Sequence, residues 1–118
     1  MLAKNSQTDD TENDIEKMQE KLQEIKDQEG IIGYILRGPK SASIDLKDPT
    51  TVIDYAVLSS ATFDAGHNMT EALQIGEVNT IVVESEETKL LSMNINNHRL
   101  SIFMEKSVDH NKLYKNLK

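Results

Sequence analysis

The sequence predicts an α+β fold with the element order αββαβββα. Three observations predict this fold. Apolar residues recur at steps of three and four near the start of the chain, as on one side of a helix. A longer stretch in the middle, rich in alanine and other small residues, has the same helical spacing. Five short runs of apolar and β-branched residues, bounded by turn residues, are typical of strands. The length of 118 residues suits one domain.

The first helix follows a polar, acidic stretch. Residues 1–12 offer nothing to bury in a core, so we predict a disordered tail there and a single domain over residues 13–118. Four apolar residues then share one helical stripe, which predicts a helix from residue 14 to about residue 27. They are Ile15, Met18, Leu22 and Ile25.

Two strands and a helix start are predicted after Gly30. Residues 31–37 are apolar at successive positions, which is typical of a strand covered on both faces. Residues 42–46 alternate apolar and polar side chains, and the turn residues between the two runs predict a hairpin. Asp48 and Pro49 then form a helix-start signal, with Asp as the N-cap and Pro in the first turn.

The middle helix, predicted over residues 49–73, has more apolar surface than a helix that covers one sheet face requires. Its small residues would let another backbone approach closely. We therefore predict that this helix packs on the sheet and also against a second molecule. A narrow polar stripe runs along it, formed by Ser60, Asp64, His67 and Glu71.

Three strands, at residues 78–84, 90–95 and 99–104, and a short helix at residues 109–117 complete the prediction. The first of these strands has a β-branched centre, few charges and no proline. As an uncovered sheet edge it would be an aggregation hazard. A two-fold contact that pairs this edge with its own copy would cover it.

Composition and motifs exclude several classes of function. The net charge of −7 argues against a nucleic-acid binder, and the chain has no cysteine. Its apolar runs are far shorter than a spanning helix requires, so we expect no membrane insertion and a cytoplasmic location. No glycine-rich phosphate loop or catalytic constellation is present, so we expect no cofactor and no enzymatic activity. Asp64, His67 and Glu71 are interpreted as a solvated stripe rather than a metal site.

Four segments carry a resemblance to a known family. They are Glu29-Gly30-Ile31-Ile32-Gly33-Tyr34, the helical residues 55–61, the glycine-glutamate lead into a strand over residues 73–84, and Leu100-Ser101-Ile102-Phe103. In this order and spacing the chain resembles the roadblock (dynein light-chain and Ragulator type) family over residues 15–117. Two features depart from the family pattern. Arg37-Gly38-Pro39-Lys40 stands where an Asp-Gly hairpin is common, and the closing helix is short.

The resemblance implies a five-stranded antiparallel sheet between the long middle helix and the two terminal helices. It also implies a homodimer with a continuous sheet, in which the third strands pair edge to edge and the middle helices pack antiparallel. The residues expected at the dimer interface are Ser59, Phe63, Gly66, Val78, Thr80, Ile81, Val82 and Val83. Those expected to face a partner are Arg37, Ser60, Asp64, His67 and Glu71.

The function implied by the resemblance is that of a non-catalytic regulator or scaffold of a small Ras-like GTPase, or an adaptor in a larger complex. The chain has two arginines, Arg37 and Arg99. Arg37 in the hairpin turn could act as an arginine finger, although a plain surface role is favoured. A small-molecule sensor of the PAS or profilin-like kind stays open as an alternative, and so does a heterodimer with a related chain.

Overall fold

The elements follow one another in the predicted order αββαβββα. The computed structural model describes residues 15–76, 79–95 and 97–117 of the chain. The elements are α1 (15–26), β1 (Ile31–Arg37), β2 (Ala42–Leu46), α2 (Val52–Leu73), β3 (Thr80–Glu84), β4 (Thr88–Ile95), β5 (His98–Glu105) and α3 (His110–Leu117). Each predicted helix and strand is therefore present, with ends that differ from the prediction by a few residues at most.

The contacts within the chain divide into two compact units. One consists of residues 15–29 and 109–117 and contains α1 and α3. The other consists of residues 30–108 and contains the sheet and α2. The single domain over residues 13–118 stays a prediction, and the tail at residues 1–12 lies outside the described residues.

The unit of α1 and α3 buries apolar residues at helical spacing. Leu22 and Ile25 of α1 are buried, as the predicted stripe requires. Leu113 and Leu117, one turn apart on α3, are also buried. The N-terminus of α3 is capped by Asp109, whose Oδ1 accepts a hydrogen bond of 3.0 Å from the backbone N–H of Asn111.

The sheet has five strands in the order β2-β1-β5-β4-β3, and all neighbouring strands are antiparallel. β1 therefore lies inside the sheet, and successive side chains such as Ile35 and Leu36, which point to opposite faces, are both buried. This burial confirms the prediction of a strand covered on both faces. β2 and β3 form the two edges of the described sheet.

β1 approaches β2 closely at Gly33. The register of β1 against β5 shifts between Ile31 and Gly33, as at a β-bulge. Gly33 has φ +156°, and a Cβ atom there would lie 2.7 Å from the Cα of Leu46 and collide with the carbonyl oxygen of Asp45. A side chain at this position would separate the two strands, so the glycine is required by sterics.

The predicted helix start at Asp48 and Pro49 is present. A short 3-10 turn, Pro49–Thr51, leads directly into α2. Asp48 Oδ1 accepts hydrogen bonds from the Thr50 hydroxyl at 2.6 Å and from the Thr50 backbone N–H at 3.1 Å. These two bonds favour the carboxylate form and lower the pKa of Asp48. At the other end of α2, Gln74 adopts the left-handed conformation typical of a helix C-terminus.

α2 covers one face of the sheet through an apolar cluster. Tyr55 of α2 contacts Phe103 of β5, with 4.5 Å between the ring centroids and 53° between the ring planes. The cluster consists of Ile35, Leu46, Leu90 and Phe103 in the sheet, against which Ile32, Val52, Tyr55 and Ala56 are packed.

Candidate interaction surface on α2 and β3

The buried side of α2 is marked by three residues: Ser59, Phe63 and Gly66. Ser59 reaches the sheet, where its Oγ lies 2.6 Å from the Oγ of Ser101 on β5. Phe63 lies beneath Arg99 of β5, whose guanidinium carbon is 5.2 Å from the centre of the Phe63 ring. These contacts hold α2 against its own sheet and fix which of its sides faces outward.

The structure places three of the predicted interface residues on the side of α2 that faces its own sheet. Ser59, Phe63 and Gly66, expected at the dimer interface, are buried within the chain. Their role in a dimer stays a prediction. The large apolar residues that α2 leaves exposed are Ile53, Val57, Leu58, Met69 and Leu73. Exposed alanines at positions 61, 65 and 72 lie among them.

β3 supplies a second part of the surface. It is an edge strand, and all of its residues except Ile81, which is half-buried, are exposed. Val82 and Val83 retain 38% and 45% of their accessible surface and, as successive residues of a strand, point to opposite faces of the sheet. Thr80 to Val83 thus lie at a sheet edge, whereas Val78 lies outside the described residues. The role of these residues in a dimer stays a prediction.

α2 and β3 border a common cavity of about 230 Å³. Leu58 and Thr62 of α2 line it from one side, and Val83 of β3 lines it from another. Its floor includes the Tyr55 and Phe103 rings of the core cluster. The cavity therefore connects Leu58 on the exposed side of α2 with Val83 on the edge strand.

The polar stripe lies on the opposite flank of α2, beside β1. Arg37 Nη1 donates a hydrogen bond of 3.1 Å to the Oγ of Ser60. Arg37, Ser60 and Asp64 line a shallow groove together with three small or apolar residues of α2, Ala56, Val57 and Ala61. One turn further on, His67 Nε2 lies 3.4 Å from Glu71 Oε1, and both side chains are largely exposed. The structure thus brings the five predicted partner-facing residues to one flank of the helix.

The pairing of one residue on this flank was not predicted. Arg37 is the last residue of β1, as the strand prediction over residues 31–37 has it, and in the sheet it stands directly opposite Arg99 of β5. Both side chains point to the α2 side, since Arg37 contacts Ser60 and Arg99 contacts Phe63. Only the register between β1 and β5 brings the two arginines together, and no local sequence signal reveals it.

The described residues offer little for metal or membrane chemistry. Among them, no group of three or more His, Asp and Glu side chains is arranged to hold a metal ion. None of the helices in the described ranges combines the length and the apolar character needed to cross a bilayer. The candidate interaction surface therefore consists of the exposed apolar residues of α2 and β3 and of the charged residues on the polar flank.

Comparisons with known proteins connect this arrangement to solved structures. The chain is similar to a Roadblock/LC7 domain from Streptomyces avermitilis, with a TM-score of 0.63 and 18% identity, over 85% of this chain and 84% of that one. It is also similar to the gliding protein MglB from Thermus thermophilus, with a TM-score of 0.64 and 17% identity, over 85% of this chain and 79% of that one.

No family model matches the sequence, and no curated protein matches it either. The similarity to known proteins is thus in the three-dimensional arrangement. The fold expected from the sequence agrees with both solved structures. It also agrees with the element order and with the five-stranded antiparallel sheet that carries α2 on one face. The chain has the roadblock fold.

Proposed function

We propose that the protein is a non-catalytic, homodimeric regulator or scaffold of a small Ras-like GTPase. The observation that carries the proposal is the exposed apolar surface on α2 and on the edge strand β3, which meet at one cavity. Leu58 and Val83, one from each element, line the same cavity and are both exposed. Exposed apolar surface of this kind marks interaction sites in proteins.

A second copy of the chain is the occupant that suits this surface best. The free edge of β3 offers backbone groups that a second β3 can pair with in a two-fold contact. The same contact would bring the two copies of α2 side by side, where the exposed alanines at positions 65 and 72 allow close approach. The roadblock fold supports this arrangement, since the resemblance implies it.

The partner class rests on the roadblock resemblance. The family is associated with regulation or scaffolding of small Ras-like GTPases, and the fold shared with MglB supports the same class. The polar flank formed by Arg37, Ser60, Asp64, His67 and Glu71 lies away from β3 and would stay accessible in such a dimer. It supplies charged and hydrogen-bonding groups for the partner.

Three measurements test the proposal. Light scattering on the purified chain should give twice the monomer mass of 13.3 kDa, and a monomer at micromolar concentration would refute the homodimer. Binding to the protein is then measured with purified Ras-like GTPases from the same organism, loaded with GDP or with a non-hydrolysable GTP analogue. A GTPase partner should bind the protein more tightly in one of these two nucleotide states than in the other. Hydrolysis rates with and without the protein then separate a regulator, which changes the rate, from a scaffold, which does not. Absence of binding in both states would count against the partner class.

The cavity beneath Leu58 and Val83 is the observation that favours the alternative of a small-molecule sensor. Two aromatic residues and hydroxyl groups such as that of Thr62 line it. Its volume of about 230 Å³ lies below the roughly 300–1,000 Å³ of typical ligand pockets. A metabolite that raised the melting temperature of the wild type, but not of a variant with the cavity filled, would favour the sensor.

A further inference from the structure

The two arginines of the chain are concentrated at one place. Arg37 and Arg99 are register partners on β1 and β5, which places their Cβ atoms about 5 Å apart. Two like charges opposite each other in a sheet are destabilising. The chain carries a net charge of −7, so an arrangement that brings these two cations together is not explained by a general excess of basic residues.

The contacts of the two side chains orient them without neutralising them. The Ser60 hydroxyl accepts one hydrogen bond from Arg37, and the Phe63 ring supports the guanidinium of Arg99. A guanidinium has five N–H donors, so most of the donors remain for a ligand. An ion pair requires a distance of at most 4.0 Å between nitrogen and oxygen. Among the described residues, no carboxylate lies that close to either guanidinium. Asp64 lines the groove beside Arg37 but is not paired with it.

We propose that Arg37 and Arg99 together bind one acidic side chain, an aspartate or glutamate, of the protein partner. This inference rests on the proposed function and names the chemistry by which the partner is recognised. Planar guanidinium groups match a carboxylate through parallel N–H···O bonds, and charge-assisted bonds of this type are stronger than neutral ones. The carboxylate would also remove the repulsion between the two cations.

The groove explains how a partner segment reaches Arg37, opposite which Arg99 stands in the sheet. Ala56, Val57 and Ala61 border it with small or aliphatic side chains, which leave room for a backbone to approach. Asp64 at the same groove disfavours a second acidic residue close by, because two carboxylates would repel each other. The site therefore selects a single acidic side chain in a segment that is otherwise neutral or basic.

Arginine variants test the site in the full chain with its GTPase. Arg37→Gln and Arg99→Gln should each weaken binding about tenfold, because each removes a charge-assisted contact. The double variant should be weaker still and should lose most of the salt dependence of binding. Arg37→Lys should not restore the affinity, since an ammonium group lacks the planar fork. Lys40→Gln, which removes a cation from the neighbouring hairpin turn, is the matched control and should bind as the wild type does.

Two results would overturn the proposal. One is unchanged GTPase affinity of the double arginine variant. The other is slower hydrolysis in Arg37→Gln with unchanged affinity, which would make Arg37 a finger that acts on the nucleotide rather than a binding residue. In both cases the GTPase still binds, so the proposed function would survive.

A titration without GTPase tests the site separately. In NMR spectra, the Nε–H resonances of Arg37 and Arg99 should both shift when a short peptide with one glutamate is added. They should not shift with the same peptide in which glutamine replaces that glutamate. Shifts with inorganic phosphate but not with the glutamate peptide would assign the site to free anions and overturn the proposal. No shift with either probe would overturn it as well. If no GTPase binds at all, the proposed function fails, while this titration still decides the role of the arginines.

Discussion

The hydroxyl of Ser59 on α2 lies 2.6 Å from the hydroxyl of Ser101 on β5, and both residues are buried. Ser101 also lies within hydrogen-bond distance of Ser92 on β4, at 3.2 Å. A row of three buried hydroxyls therefore connects α2 to two central strands. Because each hydroxyl can donate and accept a hydrogen bond, the three hydroxyls serve as partners for one another inside the protein.

Replacement of Ser101 by alanine should destabilise the protein more than replacement of Ser59. Ser101→Ala removes the middle hydroxyl and leaves both neighbours without this partner, at a cost of about 1–3 kcal/mol. Ser59→Ala leaves the Ser92–Ser101 contact intact and should cost about 1 kcal/mol. Urea unfolding of the two variants measures the difference. A greater loss in Ser59→Ala would contradict the central role of Ser101.

Replacement of Gly33 by alanine should also destabilise the chain. The added methyl group would meet the Leu46 backbone and the Asp45 carbonyl, neither of which can move without separating β1 from β2. We expect a loss of about 1–3 kcal/mol in the free energy of unfolding. Gly38→Ala is the control, because the nearest atoms to its methyl group would belong to the side chain of His98 rather than to a backbone. Equal losses in the two variants would show that backbone proximity is not the cause.

The cap at Asp48 predicts a pH-dependent contribution to stability. Folding lowers the pKa of this carboxyl below its ordinary value of 3.8. The charged form therefore stabilises the folded state above about pH 4, and the contribution is lost as the pH falls through the folded pKa. Asp48→Asn keeps an acceptor oxygen but does not titrate. The stability advantage of the wild type over this variant should shrink between pH 6 and pH 3 in urea unfolding, and an advantage that grows toward acid would have the wrong sign.

A charge on the β3 side of α2 should disrupt the proposed dimer. Leu58→Glu places a carboxylate beside Val83 on the exposed apolar surface and should weaken dimerisation at least about tenfold, since an unpaired charge resists burial. Ile53→Glu makes the same chemical change at a more exposed position, about two helical turns before Ser60 and therefore on the polar flank. It should remain dimeric in light scattering. If both variants dimerise as the wild type does, the interface lies elsewhere.

Local sequence patterns were sufficient to predict the elements. The apolar run of β1, the Asp48-Pro49 start and the β-branched centre of β3 each depend on a few neighbouring residues, and all three are present in the structure. Such signals act through backbone sterics and local hydrogen bonds, which do not require knowledge of the rest of the fold.

Local sequence patterns could not predict which side of α2 faces the sheet. Apolar residues lie both on its buried side, as at Phe63, and on its exposed side, as at Val57 and Met69. Periodicity shows which residues share a side of a helix, but here it gives too little contrast to tell which side meets the sheet. Ser59, Phe63 and Gly66 are expected at a dimer interface from the resemblance, and periodicity does not show that they are buried against the sheet. The juxtaposition of Arg37 and Arg99 depends on a pairing between strands far apart in sequence and was likewise out of reach.

The position of β5 in the sheet has a consequence for how the chain is made. β5, the last strand to leave the ribosome, inserts between β1 and β4. During synthesis β1 and β2 can form their hairpin early, but the two halves of the sheet cannot join until residue 105 has emerged. Such late, long-range pairing slows folding and prolongs the exposure of strand edges. Nascent chains that stall before β5 should therefore depend on chaperones.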